Sequence, residues 1–277
     1  MIFGIALNHE TLIRLGVFAA VLFAMALWEA VAPRRTRSFT RAVRWPANLG
    51  ISILDSLAVR LVLPLGAVGF ASFCAAHGWG LLSAVTLPRS FAVILSVAAL
   101  DLVIYLQHVM FHAIPALWRV HRMHHTDLDF DVTTGIRFHP IEIAISMAIK
   151  LAAIAALGAP AAGVFVFEVL LNATSLFNHS NVAIAPAADA LVRLLIVTPD
   201  MHRVHHSIVV RETNSNFGFN LSWWDRLLGT YRSQPAAGHL AMTIGIEDFR
   251  EARELNLARM LIQPWRGTPG EYPINGQ

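Results

Sequence analysis

The stretch that decides the fold is residues 101–125, DLVIYLQHVMFHAIPALWRVHRMHH. It carries five of the thirteen histidines: His108, His112, His121, His124 and His125. A later stretch, His202-Arg203-Val204-His205-His206, repeats the pattern His121-Arg122-Met123-His124-His125. The spacings are H-x3-H, H-x2-H-H and H-x2-H-H. Residues three and four apart share a helix face, so each cluster aims its rings one way. Neutral imidazole is a ligand for iron, zinc, copper and nickel. Eight such rings exceed what one ion takes and suit two adjacent ions. A lone histidine on an apolar face is ordinarily a core residue, and His9, His77 and His239 are read that way. Three clusters in an apolar chain are another matter, because so many polar rings buried without partners would be costly.

The chain has 277 residues, 56% hydrophobic and 14% charged, with a mean hydropathy of +0.55. That is a membrane-protein composition. No Ser/Gly-rich linker or repeat divides it, so residues 1–277 read as one unit. The single Cys74 excludes an internal disulfide. The formal net charge is only +3, and no basic stripe with interleaved aromatics appears, so nucleic acid is not an expected partner.

Residues 11–32 form the first apolar run, long enough to cross a bilayer. It reads as a retained anchor, because residues 1–8 are not basic and no small-residue cleavage site follows. Arg14 and Glu29 lie near its ends, where polar heads can snorkel. Arg34, Arg35, Arg37, Arg41 and Arg44 then predict a cytoplasmic loop. Residues 48–76 are a second run with a kink at Pro64; Asp55 and Arg60 inside it are expected near the membrane surface or paired with other helices. Residues 91–112 cross a third time. Residues 141–157 and 160–177 form a hairpin turned at Gly158-Ala159-Pro160, returning His179 to the side of the other clusters. Residues 185–197 are too short to span and are expected at the interface. Residues 248–262 have helical apolar spacing at Phe249, Ala252, Leu255, Ala258 and Ile262, which predicts an amphipathic helix. The tail from Gln263, rich in Pro and Gly, is expected to be loosely ordered. The predicted fold is therefore all-α: an integral membrane helical bundle of about four transmembrane helices, hairpin included, with a histidine-rich di-metal cap on the cytoplasmic side.

The pattern extends beyond histidine. Arg137-Phe138-His139-Pro140-Ile141-Glu142 resembles an RFHPxE segment, and Asn178-His179-Ser180-Asn181 an NHSN segment. Asn216-Phe217-Gly218, followed by Leu221-Ser222-Trp223-Trp224-Asp225-Arg226-Leu227-Leu228-Gly229-Thr230-Tyr231, resembles an NxG…LSxWDRLxGTY stretch. These segments, with the clusters, resemble the membrane fatty acid hydroxylase and sterol desaturase superfamily over residues 101–231. The resemblance implies di-iron, dioxygen-dependent hydroxylation or desaturation of a sterol, fatty acyl or related lipid, with zinc able to replace iron. It adds His179 as a ninth ligand. His139 is a possible tenth, or a structural residue beside Pro140. The candidate metal set is thus His108, His112, His121, His124, His125, His139, His179, His202, His205 and His206, with no catalytic residue beyond it. The inner membrane of a bacterium is the expected location.

Metal-bound histidines usually donate their other N–H to a carboxylate or carbonyl. Asp101, Asp127, Glu142 and Asp200 are the acids close enough in sequence to serve, and Asn178, Asn181, Asn214 and Asn216 could bond ligands or cap turns. Trp223-Trp224-Asp225-Arg226 reads as structural. No pair of Glu-x-x-His motifs appears, as a soluble di-iron bundle would need. With no nucleotide, flavin, haem or iron–sulfur motif in view, electrons must come from a separate protein, a ferredoxin or a cytochrome with its reductase. Two other readings stay open. A zinc-dependent membrane hydrolase would need a base such as Glu142. A metal transporter would string its ligands along the path through the membrane.

Overall fold

The computed structural model describes residues 9–276, and the reading of residues 1–8 lies outside them. Among the described residues the protein is all-helical, with only isolated bridges in place of strands. The long helices are α1 (His9–Val31), α2 (Arg41–Val62), α3 (Gly66–Ala76), α4 (Arg89–Ala113), α5 (Pro115–His125), α6 (Pro140–Leu157) and α7 (Ala161–Asn178). Shorter ones follow: α8 (Pro186–Val192), α9 (Pro199–His205), α10 (Val210–Thr213), α11 (Trp223–Leu227), α12 (Gly238–Ala241) and α13 (Leu257–Ile262). Five segments are long and apolar enough to cross a membrane: α1, the α2–α3 stretch to Ala84, α4, α6 and α7. They make the chain an integral membrane protein. At Pro64 the backbone breaks rather than kinks, and α3 restarts at Gly66.

Local chemistry places the helix ends. Ile114 is held extended before Pro115, which ends α4, and Pro115 opens α5 at its first turn. The corner so formed turns the rings of α4 toward those of α5. Gly158 closes α6 with φ 68°, a left-handed conformation that costs a residue without Cβ little. Gly158 packs against Gly80, where a Cβ would lie 2.0 Å from the Gly158 nitrogen. The hairpin turn and the loop after α3 therefore share the end of the bundle away from the histidines. Between them, Ala67, Ala71, Leu100, Ile104, Ile154, Val164 and Phe167 fill the intramembrane core of α3, α4, α6 and α7.

At the other end the loops are tied by buried charge. Arg44 is fully buried and grips both oxygens of Asp127 at 2.7 Å, and also pairs with Asp131. Burial alone would raise the Asp127 pKa, but Arg44, Arg137 and Thr134 bring it down to about 2. Arg34 pairs with Asp200, Arg41 with Glu29, and Arg35 donates to the carbonyls of His239 and Met242. The basic segment is thus a strut of the cap and not a free loop.

Several expectations need correction. Glu29 does not snorkel: it is fully buried and accepts the backbone N–H groups of Val132 and Asn181. Arg14 pairs with Glu168, which also takes Lys150 at 2.7 Å. Asp55 is buried on α2, while Arg60 is exposed. The helix expected over 185–197 is only the seven residues of α8. The amphipathic helix expected over 248–262 is broken: Phe249 takes φ 59°, and extended Asn256 caps a new helix by accepting from the Ala258 N–H. The tail is ordered on α5. Arg122 donates to the carbonyls of Gln263, Arg266 and Thr268, and Trp118 Nε1 donates to Pro269. Pro and Gly there shape a fixed course instead of loosening it, because buried donors on α5 need those carbonyls.

Arg44→Met is expected to strand Asp127 and Asp131 as buried unpaired charges, a loss of about 3–5 kcal/mol. The thermal midpoint of the detergent-solubilised protein should fall by several degrees or more. Arg60→Ala, at an exposed position, should leave it within about 0.5 kcal/mol of the parent.

Candidate metal centre

The rings converge from four places. α4 supplies His108 and His112, α5 supplies His121, His124 and His125, the end of α7 supplies His179, and α9 with the residue after it supplies His202, His205 and His206. They form two groups. His108, His112, His121, His125 and His205 make one, and His124, His179, His202 and His206 the other; within each, one ring nitrogen per residue lies within 4.8 Å of all the rest. All nine are buried. The groups abut: the His125 and His206 rings stack at 4.6 Å, and those of His202 and His205 at 5.1 Å.

The outward nitrogens show which way the rings face. His108 Nδ1 donates to the Phe217 carbonyl at 2.7 Å, His124 to Arg137 at 3.1 Å, His179 to Ser175 at 2.8 Å and His205 to Ser215 at 2.8 Å. His112 Nδ1 donates to Asn214 Oδ1 at 3.0 Å and His121 Nδ1 to Glu142 at 2.6 Å. Each bond holds the proton on Nδ1 and leaves the Nε2 lone pair facing inward. Inside, His121 Nε2 lies 3.2 Å from Nε2 of both His108 and His125, and His179 Nε2 lies 3.2 Å from His124 and 3.0 Å from His202. With Nδ1 protonated, no proton stands between the facing pairs at His108–His121 and His124–His179, and two lone pairs at that distance repel. His112 Nε2, His205 Nε2 and both nitrogens of His206 are buried with no partner. A shared cation in each group would resolve both problems, so the donor set fits two metal ions.

Burial, reinforced by neighbouring rings, holds His124, His125, His202, His205 and His206 well below the usual imidazole range. Burial also takes His179 to about 3. These six rings are therefore held toward the neutral form, the one a metal takes without displacing a proton.

His139 stands apart from both groups. Its Nδ1 caps α6 by accepting from the Ile141 N–H at 3.1 Å, and its Nε2 is 3.0 Å from the Leu261 carbonyl. Both nitrogens are used, which is the structural role beside Pro140. Of the four candidate acids only Glu142 reaches one of the nine converging histidines, while Asp200 lies 3.6 Å from His239 outside the groups. Asp101 instead accepts the backbone N–H groups of Asn220 and Leu221 and the Trp224 indole. Asp127 belongs to Arg44, and Asp200 to Arg34 and Arg203. Asp225 accepts the N–H groups of Phe217 and Gly218, and so sets the carbonyl that orients His108. A Cβ on Gly218 would sit 2.8 Å from Asp225 Oδ2, so only glycine allows that approach. Asn178 and Asn216 bond backbone carbonyls, and Asn181 bonds Arg35.

The sequence reading missed the aromatic floor. Phe138 stacks on His124 at 4.6 Å, and Phe219 lies 5.2 Å from His108 and 6.1 Å from His202. Both rings pack on the intramembrane core. Phe138 lies within the Arg137–Glu142 segment and Phe219 directly follows Asn216-Phe217-Gly218, the only signals in the sequence that could have found them.

The segment that carries this arrangement is similar to known proteins. A family model described as fatty acid hydroxylase matches residues 93–230. An ornithine lipid hydroxylase of Rhizobium tropici is 33% identical over 148 residues, covering 53% of this chain and 44% of its own. An alkylglycerol monooxygenase of Homo sapiens is 27% identical over 135 residues, covering 47% of this chain and 28% of its own. The chain thus spans less than half the length of these curated relatives. No solved structure shows a significant match. The matched segment runs from α4 to the loop behind His108 and takes in all nine converging histidines, and by that match residues 93–230 are a fatty acid hydroxylase domain.

Proposed function

We propose that this protein oxidises a C–H bond of a membrane lipid, by hydroxylation or desaturation, using dioxygen and two iron ions. The observation that carries the reading is the pair of abutting, buried, all-histidine groups at one end of five apolar helices. His108, His112, His121, His125 and His205 would hold one ion, and His124, His179, His202 and His206 the other. Iron supplies the dioxygen chemistry that an unactivated C–H bond requires and that acid–base side chains lack. The chain's residues orient the rings, exclude water and admit the substrate. Phe138 and Phe219 join the histidines to the intramembrane core, so a lipid chain rising from the bilayer would meet them first. The two relatives, named for an ornithine lipid and an alkylglycerol, support a lipid as the substrate class.

A hydrolase fits less well. The base it would need, Glu142, is engaged at 2.6 Å with His121. A transporter fits less well too, because both groups lie at one end of the bundle. Electrons would come from a ferredoxin or a cytochrome with its reductase, with exposed Arg211 and Arg259 available to an acidic donor. The histidine end is assigned to the cytoplasm of a bacterial inner membrane, on the asymmetry of arginine.

Elemental analysis of gently purified protein should find about two metal ions per chain, with dioxygen consumed in proportion to lipid oxidised. His121→Ala, His125→Ala or His205→Ala should abolish lipid oxidation at normal protein level. Normal turnover in His125→Ala, or a single ion in the parent, would refute the reading.

His139→Ala should keep both ions and lose the helix cap and the bond to the Leu261 carbonyl, together about 1–2 kcal/mol of stability. Glu142→Ala should lower activity or metal affinity about 10- to 100-fold, since it removes the partner that orients His121.

A reporter fused at Gly78 should behave as non-cytoplasmic. Cytoplasmic behaviour there would reverse the assigned orientation.

A further inference from the structure

The last residues of the chain lie beyond the segment that the family model matches, yet they reach the five-histidine group. Tyr272 makes the contact. Its ring stacks on Trp118 with centroids 5.5 Å and planes 18° apart. Trp118 is fully buried and lies 4.8 Å from the His112 ring and 5.3 Å from the His125 ring. The Tyr272 carbonyl accepts from Asn214 Nδ2 at 2.8 Å, and Asn214 Oδ1 accepts from His112 Nδ1 at 3.0 Å. The Tyr272 hydroxyl donates to the Ile208 carbonyl at 2.9 Å and accepts from the Glu247 N–H at 3.1 Å. Burial pushes this phenol up to about 12, so it keeps its proton and stays a donor.

The order of those bonds matters. An amide side chain can present either its oxygen or its NH2 to a neighbour. If Asn214 turned its NH2 toward His112, the ring would have to accept at Nδ1 and carry its proton on Nε2. That is the nitrogen facing the other four rings, and it is buried with no hydrogen-bond partner. The Tyr272 carbonyl can only accept. It therefore claims the Asn214 NH2 and leaves the oxygen for His112. The same residue's ring stacks on Trp118, which is itself fully buried against the rings of His112 and His125.

We propose that Tyr272 is a positioning residue for the five-histidine group. Through Asn214 it fixes the tautomer of His112, and through Trp118 it closes the side of the group opposite the lipid-facing floor. The inference rests on the reading of that group as a metal site.

The test compares the parent with Asn214→Ala, Tyr272→Ala and Tyr272→Phe, each purified as the full chain. Three quantities are read: metal ions per chain, the ligand-field spectrum after loading with cobalt(II), and dioxygen consumed per lipid oxidised. Asn214→Ala should weaken one of two ions about 10- to 100-fold and change the cobalt spectrum. Tyr272→Ala should shift the same spectrum and raise the dioxygen consumed per product. Both Tyr272 variants keep the main-chain carbonyl; Tyr272→Phe also keeps the stack and loses only the hydroxyl bonds to Ile208 and Glu247 that seat it, and should shift the spectrum less but in the same direction. Parent-like metal content, spectrum and coupling in Asn214→Ala and in both Tyr272 variants would overturn the proposal. A parent that binds fewer than two ions would instead overturn the metal reading, and this inference with it.

Discussion

Nine imidazoles can share a buried site only if their inward lone pairs have something to face. At 3.2 Å, Nε2 against Nε2, the rings of the pairs His108–His121 and His124–His179, with their Nδ1 protons turned outward, repel one another. Water cannot relieve this, because the site is buried. The geometry is therefore that of a cation site, and the rest of the cap reads as the scaffold that holds like dipoles together. The α4–α5 corner at Ile114-Pro115 brings two clusters face to face, and the α6–α7 hairpin brings His179 to meet α9. Removing any one of these turns would separate rings that no covalent link joins.

The scaffold separates two tasks. Carboxylates tie loops: Glu29 binds the residue 132 and 181 backbones, Asp129 those of Ser38 and Phe39, Asp101 those of Asn220 and Leu221, and Asp225 those of Phe217 and Gly218. Arginine neutralises several of the remaining buried acids, as Arg44 does for Asp127 and Asp131. Each buried charge is costly alone and tolerable when paired or bonded to N–H groups, so the network is cooperative. Its loops are then rigid enough for their carbonyls to aim histidine rings.

Much of this was legible in the sequence. The apolar runs gave the long helices because a membrane demands length and composition, and both are local properties. Histidine spacing gave the clusters because helical periodicity is local too. What was not legible was partnership across the chain. Glu29, Arg14 and Lys150 look like snorkelling residues one helix at a time, and only the packed bundle supplies Asn181 and Glu168 to meet them. The tail looked loose because Pro and Gly say nothing of Arg122, whose donors lie more than 140 positions earlier in sequence. Residues 248–262 had helical spacing, yet Asn256 found a capping bond that broke the helix. His139 shares a motif with Arg137 and Glu142, but its side chain was needed at the start of α6.

The least legible feature was the choice of acceptors for the histidines. Four acids stood close in sequence, yet carbonyls of Phe217, Arg137, Ser175 and Ser215 serve His108, His124, His179 and His205. Among the nine converging rings only that of His121 meets a carboxylate, Glu142. A neutral acceptor fixes a tautomer as firmly as a carboxylate does, and it adds no ion to be desolvated in a buried site. Backbone carbonyls are invisible to motif reading, since every residue has one. The matched segment extends past the histidines to residue 230 and so takes in the turn around Phe217 and Asp225, which holds no histidine but sets the carbonyl that His108 needs.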